Sequence, residues 1–181
     1  MIIEIVLLTR QNYQIKNVLK EKIIYYQNTP QSIAEGSPGF PFEIELINGT
    51  KISVKDSMDT NILLIFFSVN CSACSLEIPL WRQLYHLPER EFKILGICRD
   101  DLEKTSAHAK KYELPFTIGI DADRKIFEKY NVRTIPQKIF LDRNGIIRYV
   151  ERGTNLSLLK SGQLLDLWKT NLIDKNREME K

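Results

Sequence analysis

Apolar and polar residues alternate along "FEIELINGTKISV" (42–54), the period of a strand with one face buried. The alternation breaks at Asn48-Gly49, a pair that favours a tight primed turn, so the stretch reads as a hairpin. "NILLIFFSV" (61–69) is continuously apolar over a strand's length, as a central strand covered on both faces requires. A helix is expected from about Ser72 to Tyr85, and "FKILGIC" (92–98) is a second buried strand. Asp100 and Asp101 open another helix that runs to about Tyr112, since acidic side chains suit a first turn. "PFTIGI" is a short extended piece, and "DADRKIFEKY" a short helix starting at Asp121 or Asp123. "QKIFLDRNGIIRYVERG" is a second hairpin turning at Asn144-Gly145, and a last helix spans about Asn155 to Leu172. Strands alternating with helices, then a hairpin and a helix, imply an α/β fold with a mixed central sheet and helices on both faces.

The first 41 residues differ. Residues 4–26 carry helical spacing, with Ile5, Leu8, Tyr13, Ile15, Val18, Leu19, Ile23 and Tyr26 near one broad face. "NTPQSIAEGSPGFP" (28–41) holds three prolines and two glycines and reads as a linker or covering loop. The chain thus divides into an N-terminal helical extension (1–27), the linker (28–41), an α/β domain over 36–173 and a charged tail (174–181). No run approaches the roughly 18 to 20 apolar residues that span a bilayer. The run Ile2–Leu8, broken by Glu4 and followed by Arg10, also lacks the flanks of a signal peptide. Two readings stand for it. One is an amphipathic helix docking on the domain. The other is the tail end of a membrane anchor, with Arg10, Lys16, Lys20 and Lys22 beside the membrane.

Composition narrows the function. A net charge of +3 with no Lys/Arg block argues against a nucleic-acid partner, and three cysteines in 181 residues are too few for a disulfide scaffold. Two of them, Cys71 and Cys74, stand in "FFSVNCSACSLEIP", where the buried strand hands over to a helix. At a helix N-terminus the unsatisfied N–H groups and the macrodipole favour a thiolate, so Cys71 is placed to be nucleophilic and Cys74, one turn on, to resolve. A zinc site needs four ligands, usually two such pairs. The only other cysteine, Cys98, is single, and His86 and His108 lack the spacing. Two inert core cysteines are the other alternative, and Cys98 itself reads as a core thiol at a strand end. In "NVRTIPQKIFLD", Pro136 precedes a strand. A cis peptide after Ile135 would offer the Thr134–Ile135 backbone to an extended substrate, whereas a plain strand-opening proline is the structural reading. Glu77 lies on a helix face with Cys74, near the pair, where a partly buried carboxylate with a raised pKa could shuttle the proton of the resolving thiol. A helix-surface glutamate is the alternative. Trp81 and Trp168 read as packing aromatics.

From "GSPGFPFEIELINGTKISV", "CSACSLEIP" and "YNVRTIPQKIFLDRNGII" together, residues 36 to 160 resemble a thioredoxin-fold thiol–disulfide oxidoreductase of the TlpA/ResA-like (redoxin, AhpC/TSA-like) group. The resemblance implies a thioredoxin-like fold, a Cys71 nucleophile, a Cys74 resolving thiol, a cis-Pro136 and a Glu77 that tunes the pair. It implies protein thiol or disulfide substrates, haem-attachment thiols among them, and an envelope or membrane redox partner. It also implies an extracytoplasmic place in a bacterial envelope, with membrane association through the N-terminus, and no cofactor or metal. The chain departs from the group at Asn70, where relatives carry an aromatic residue, and at Ser72-Ala73 between the cysteines. A peroxiredoxin-like peroxidase is the alternative, with Ser68 before Cys71 and Arg99 or Arg133 as activating cations. A non-catalytic metal-binding module is another.

Overall fold

The computed structural model describes residues 33–55, 59–88 and 90–174, together with Arg10 and 13–16. The chain forms two units, Met1–Ser32 and Ile33–Lys181. In the first, Arg10 and 13–16 are helical and exposed; the remainder of the helix expected over 4–26, Lys20 and Lys22 included, falls outside the described residues, as does the tail from 175. Among the described residues no helix is long and apolar enough to cross a membrane.

The second unit is built on one seven-stranded sheet, ordered β2-β1-β5-β4-β3-β6-β7. Its strands are β1 (Phe42–Leu46), β2 (Lys51–Val54), β3 (Asn61–Phe67), β4 (Phe92–Cys98), β5 (Thr117–Ile120), β6 (Gln137–Leu141) and β7 (Ile147–Arg152). β3, β4 and β5 are parallel, and the two hairpins add antiparallel edges, β1 on β5 and β6 on β3. The continuous apolar run of β3 is explained by two cores. Leu63, Ile65 and Phe67 face one, packed under α1 (Ser72–Tyr85), α2 (Leu102–Lys111) and α5 (Leu164–Lys169); Leu64 and Phe66 face the other, under α3 (Lys125–Lys129). Each such fully buried side chain contributes roughly 1.5–3 kcal/mol, so β3 anchors the domain from both sides. In "FEIEL" only alternate residues are buried, as its pattern predicts for an outer strand.

Three local expectations are corrected. Both hairpin turns are three-residue loops with one left-handed glycine, not primed two-residue turns: Gly49 (φ 80) and Gly145 (φ 72) have positive φ, whereas Asn48 and Asn144 do not. The reason is side-chain competition. Asn48 Oδ1 accepts from Thr50 N (3.0 Å), and Asp142 Oδ1 accepts from Asn144 N and Ile146 N (2.8 and 2.9 Å), which stabilises the longer loop. The helix expected from Asp121 or Asp123 begins only at Lys125. Asp121 is buried ahead of it and caps it, its two oxygens accepting from Ile126 N (3.1 Å) and Phe127 N (2.8 Å). The single C-terminal helix is two, α4 (Leu156–Ser161) and α5, followed by a wider π turn at Thr170–Asp174. Gly162 (φ 76) ends α4, and the break lets both Leu164 and Trp168 reach the core.

The N-terminal hairpin joins the sheet through the pairs Glu45 with Ile120 and Leu46 with Gly119, beside which Ile47 N donates to the Ile118 carbonyl at 3.0 Å. A Cβ on Gly119 would come within 2.3 Å of Ile44 Cδ1 and 2.6 Å of its Cγ1. Gly119→Ala is therefore expected to cost about 1–3 kcal/mol in urea unfolding, and less in an Ile44→Val background, which removes the nearest atom. An additive double mutant would show that the clash is relieved elsewhere.

Candidate functional site

Strand β3 ends at Phe67 and α1 begins at Ser72, so Cys71 is the residue that caps the helix, with extended backbone (φ −92, ψ 106). Its Sγ accepts from Cys74 N at 3.1 Å, the bond that a capping oxygen makes elsewhere. Cys71 and Cys74 are disulfide-bonded, with Cα atoms 5.2 Å apart. Cys71 is half-buried while Cys74 is buried at 1% exposure, so an incoming group reaches the first sulfur and not the second.

The second wall comes from 64 residues further on. Because β6 is antiparallel to β3, with Gln137 opposite Phe66, the start of β6 lies beside the end of β3. This carries the Ile135 carbonyl to 3.8 Å from Cys71 Sγ. The Ile135–Pro136 peptide is cis, Pro136 is buried, Ile135 half-buried and Thr134 exposed. The Pro136 carbonyl is held by Gly153 N at 2.7 Å, from a left-handed glycine (φ 75) just past β7. The structure thus brings Cys71, Cys74, Ile135 and Pro136 to one end of the sheet.

Glu77 is wholly buried (0% exposed) rather than at the helix surface or half-buried. Its Oε2 accepts from Trp81 Nε1 at 3.0 Å, one turn on, and from Lys138 Nζ at 2.6 Å. Lys138, 1% exposed, stands on β6 directly opposite Glu151 of β7, and its Nζ lies 3.2 Å from Glu151 Oε2. Trp168 Nε1 donates to the same Glu151 oxygen at 2.8 Å, and the Lys138 ammonium lies 4.9 Å from the Trp168 ring centre. Burial lifts the Glu77 carboxyl above its ordinary range of about 4.5; Lys138 and the nearby Thr154 hydroxyl oppose the shift without cancelling it. The Thr154 hydroxyl itself lies 3.5 Å from the Ala73 carbonyl, and no hydrogen bond reaches Glu77 Oε1.

Glu77 is therefore not the only carboxylate near the pair. Besides Glu151, Asp100 accepts from Val69 N at 2.9 Å and so ties down the loop that presents Cys71. Burial works against ionising Asp100, but the Val69 N–H, the Ser68 hydroxyl, the Cys98 thiol and Arg99 hold it below its ordinary range. Cys98 is a core thiol: it is fully buried, 3.4 Å from Asp100 Oδ2, and burial pushes it up to about 11. Arg99 and Arg133 line a surface cavity of about 370 Å³ with Arg124, Phe127, Glu128, Asn131 and Val132, and neither cysteine lines it. Among the described residues no group of three or more His, Cys, Asp or Glu could hold a metal.

A signal for Lys138 and Glu151 did exist. In "QKIFL" the period of two puts Lys138 on the face of Phe140, and a lysine on a core-facing position needs a buried acid. The partner itself could only come from the register. Trp81 and Trp168 are packing aromatics as expected, but each also donates its N–H to a carboxylate, Trp81 to wholly buried Glu77 and Trp168 to part-buried Glu151.

The family model described as the AhpC/TSA family matches residues 36–150. The chain belongs to that family. Two curated relatives, both named thiol-disulfide oxidoreductase ResA, come from Bacillus cereus and Bacillus subtilis. The first is 29% identical over 106 residues, 58% of this chain and 61% of the relative. The second is 28% identical over 127 residues, 68% of this chain and 70% of the relative. The chain thus spans between three-fifths and about two-thirds of the length of the relatives it matches. The thioredoxin domain of a thiol-disulfide oxidoreductase from Bacteroides vulgatus superposes with a TM-score of 0.64 over 77% of this chain and 98% of that one, at 20% identity. That likeness shows a thioredoxin-like fold.

Two outcomes follow. In the reduced protein, iodoacetamide at neutral pH should modify Cys71 and leave Cys98 intact until the chain is unfolded; rapid native-state labelling of Cys98 would contradict its assignment to the core. Because the folded carboxyl of Glu77 holds its proton to higher pH than the unfolded one, the native state binds more protons from about 4.5 upward to the raised folded value. The site's contribution to stability is full below that window and is lost as pH rises through it. Glu77→Gln should flatten this fall, measured as denaturation midpoints across mildly acidic to neutral pH, and an unchanged slope would refute the assignment.

Proposed function

We propose that the protein is a thiol–disulfide oxidoreductase that exchanges the Cys71–Cys74 dithiol and disulfide with protein thiols. The observation that carries this reading is the asymmetric pair: a reachable Cys71 capping a helix, a buried Cys74 behind it, and the Ile135 carbonyl beside the reachable sulfur. The ResA relatives and the fold point the same way.

The residues take these roles. Cys71, as thiolate, attacks a partner disulfide, helped by the helix N-terminus. Thr134 and Ile135 pair with the extended partner segment while Pro136 shapes that edge. Cys74 then attacks Cys71, releasing the reduced partner, and Glu77 takes the proton that Cys74 gives up. The pair works as a reductant of protein disulfides, haem-attachment thiols among its candidate substrates, on the extracytoplasmic side of a bacterial envelope. It is recharged there by an envelope redox partner. The TlpA/ResA-like sequence pattern supports that placement, and the apolar run Ile2–Leu8 with Arg10 and Lys16 beyond it suits membrane association through the 1–27 extension, ahead of the domain over 36–173.

Cys71→Ser should abolish reduction of an insulin disulfide, whereas Cys74→Ser should accumulate a mixed disulfide through Cys71. Full activity in Cys71→Ser would sink the proposal. Equilibration with glutathione should give a potential nearer the roughly −270 mV of strongly reducing dithiols than the roughly −120 mV of strongly oxidising ones. A value at the oxidising end would assign the pair to disulfide formation instead.

A further inference from the structure

Behind the dithiol lies a largely buried set of three ionisable groups, two carboxylates around one ammonium. Lys138 Nζ bridges Glu77 Oε2 (2.6 Å) and Glu151 Oε2 (3.2 Å), and the side chains of Lys138, Glu77 and Glu151 are 2%, 0% and 13% exposed. Burying charge in this way is costly, and a lysine on a core strand is justified only if both partners and their hydrogen bonds are in place. Trp81 and Trp168 complete the set, each donating its N–H to one carboxylate. The set is anchored on three elements of the site: Glu77 on the helix that Cys71 caps, Lys138 two residues past cis-Pro136, and Glu151 two residues before the glycine that holds the Pro136 carbonyl.

We propose that Lys138 and Glu151 are positioning residues for the thiol chemistry. Lys138 holds Glu77 ready to receive the Cys74 proton, and Glu151, competing for the same ammonium, loosens that hold so that the proton can leave again. This rests on the exchange reaction argued above. In one turnover the Cys71 thiolate forms a bond to one partner sulfur and the partner disulfide breaks, freeing one partner thiolate. The Cys74 thiol then gives its proton to Glu77, and its sulfur bonds to Cys71. The second partner thiolate departs and takes up the proton from Glu77. Two electrons pass from the dithiol to the partner disulfide, and the charge on Glu77 returns to its starting state.

The groups facing Glu77 give the direction of each effect. From α1 comes the Trp81 N–H, with buried Cys74 one turn back on the same helix; from β6 comes Lys138, from β7 Glu151 and Tyr149, and from the segment after β7 the Thr154 hydroxyl. α5 contributes only Trp168, through Glu151. Burial keeps Tyr149 neutral, reinforced by Glu151, so it adds no charge. Lys138 is thus the only cation among these groups and Glu151 the only other anion. Removing them must move Glu77 in opposite directions, since Lys138 favours its charged form and Glu151 disfavours it.

The test is a carboxyl ¹³C titration of Glu77 in the reduced protein, paired with the pH profile of disulfide closure after Cys71 has captured a small aromatic disulfide. In Lys138→Met both midpoints should rise by about one pH unit or more, slowing closure about tenfold below the midpoint; in Glu151→Gln both should fall. A loss of packing alone would weaken stability in both variants without moving the midpoints apart. Shifts of the same sign, or none, overturn the inference. If Lys138→Met does not fold, Glu151→Gln decides alone, because Gln still accepts from Trp168: a lowered midpoint upholds the proposal, and an unmoved or raised one ends it. Failure of the exchange reading would show differently, as disulfide reduction that survives Cys71→Ser.

Discussion

The site depends on one register. With Gln137 opposite Phe66 in an antiparallel pair, the chain enters β6 where β3 leaves the sheet, so residues 135–136 arrive beside Cys71. A slip of one residue would turn Lys138 and Phe140 to the opposite face and separate the Ile135 carbonyl from the sulfur. What prevents the slip is burial on both faces: Leu63, Ile65 and Phe67 are committed to one core and Leu64 and Phe66 to the other. The same strand that stabilises the domain therefore determines the spacing of the reactive groups. The parallel pairing of β3 with β4, where Phe67 lies opposite Cys98, brings Asp100 to the loop before Cys71 and finishes the frame.

Within that frame the two sulfurs differ because their surroundings do. Cys71 caps a helix N-terminus and is half-buried. Cys74 is buried in a core that also encloses Glu77, Lys138 and the two indole N–H groups, with Glu151 at its margin. In such a low-dielectric region a charge is felt strongly by its neighbours, so in the proposed exchange a buried carboxylate can respond to a proton leaving Cys74 where a surface one would be screened. The two carboxylates share a single ammonium. In the proposed chemistry that imbalance keeps Glu77 responsive, because Lys138 favours its charged form and Glu151 disfavours it.

Much of this was legible in the residues. The uninterrupted "NILLIFF" demanded cover on both faces, and alternation in "FEIEL" demanded one. "NCSAC" at a strand-to-helix junction pointed to a cysteine pair at a helix start, and Pro136 before "QKIFL" to a shaped backbone beside it. The turns and the last helix depart from the local pattern. Asn48 and Asp142 bind neighbouring backbone N–H groups, which selects the longer loops, and Gly162 breaks a helix that apolar spacing alone would continue. Local pattern reports which residues want burial. It does not report which side-chain hydrogen bonds will outcompete a standard turn.

The sequence by itself determined the alternation of elements, the α/β class, the position of the thiol pair and the presence of a proline-shaped loop. All of these follow from periodicities and short motifs in which a residue's chemistry and its neighbours along the chain suffice. Only the tertiary structure decided that Glu77 is enclosed, that Lys138 answers it from another strand, and that Glu151 and the two tryptophans complete the set. Those contacts join positions 61 and 13 residues apart, Glu77 to Lys138 and Lys138 to Glu151. Their meeting is set by strand register and helix packing, which no single segment of the chain encodes.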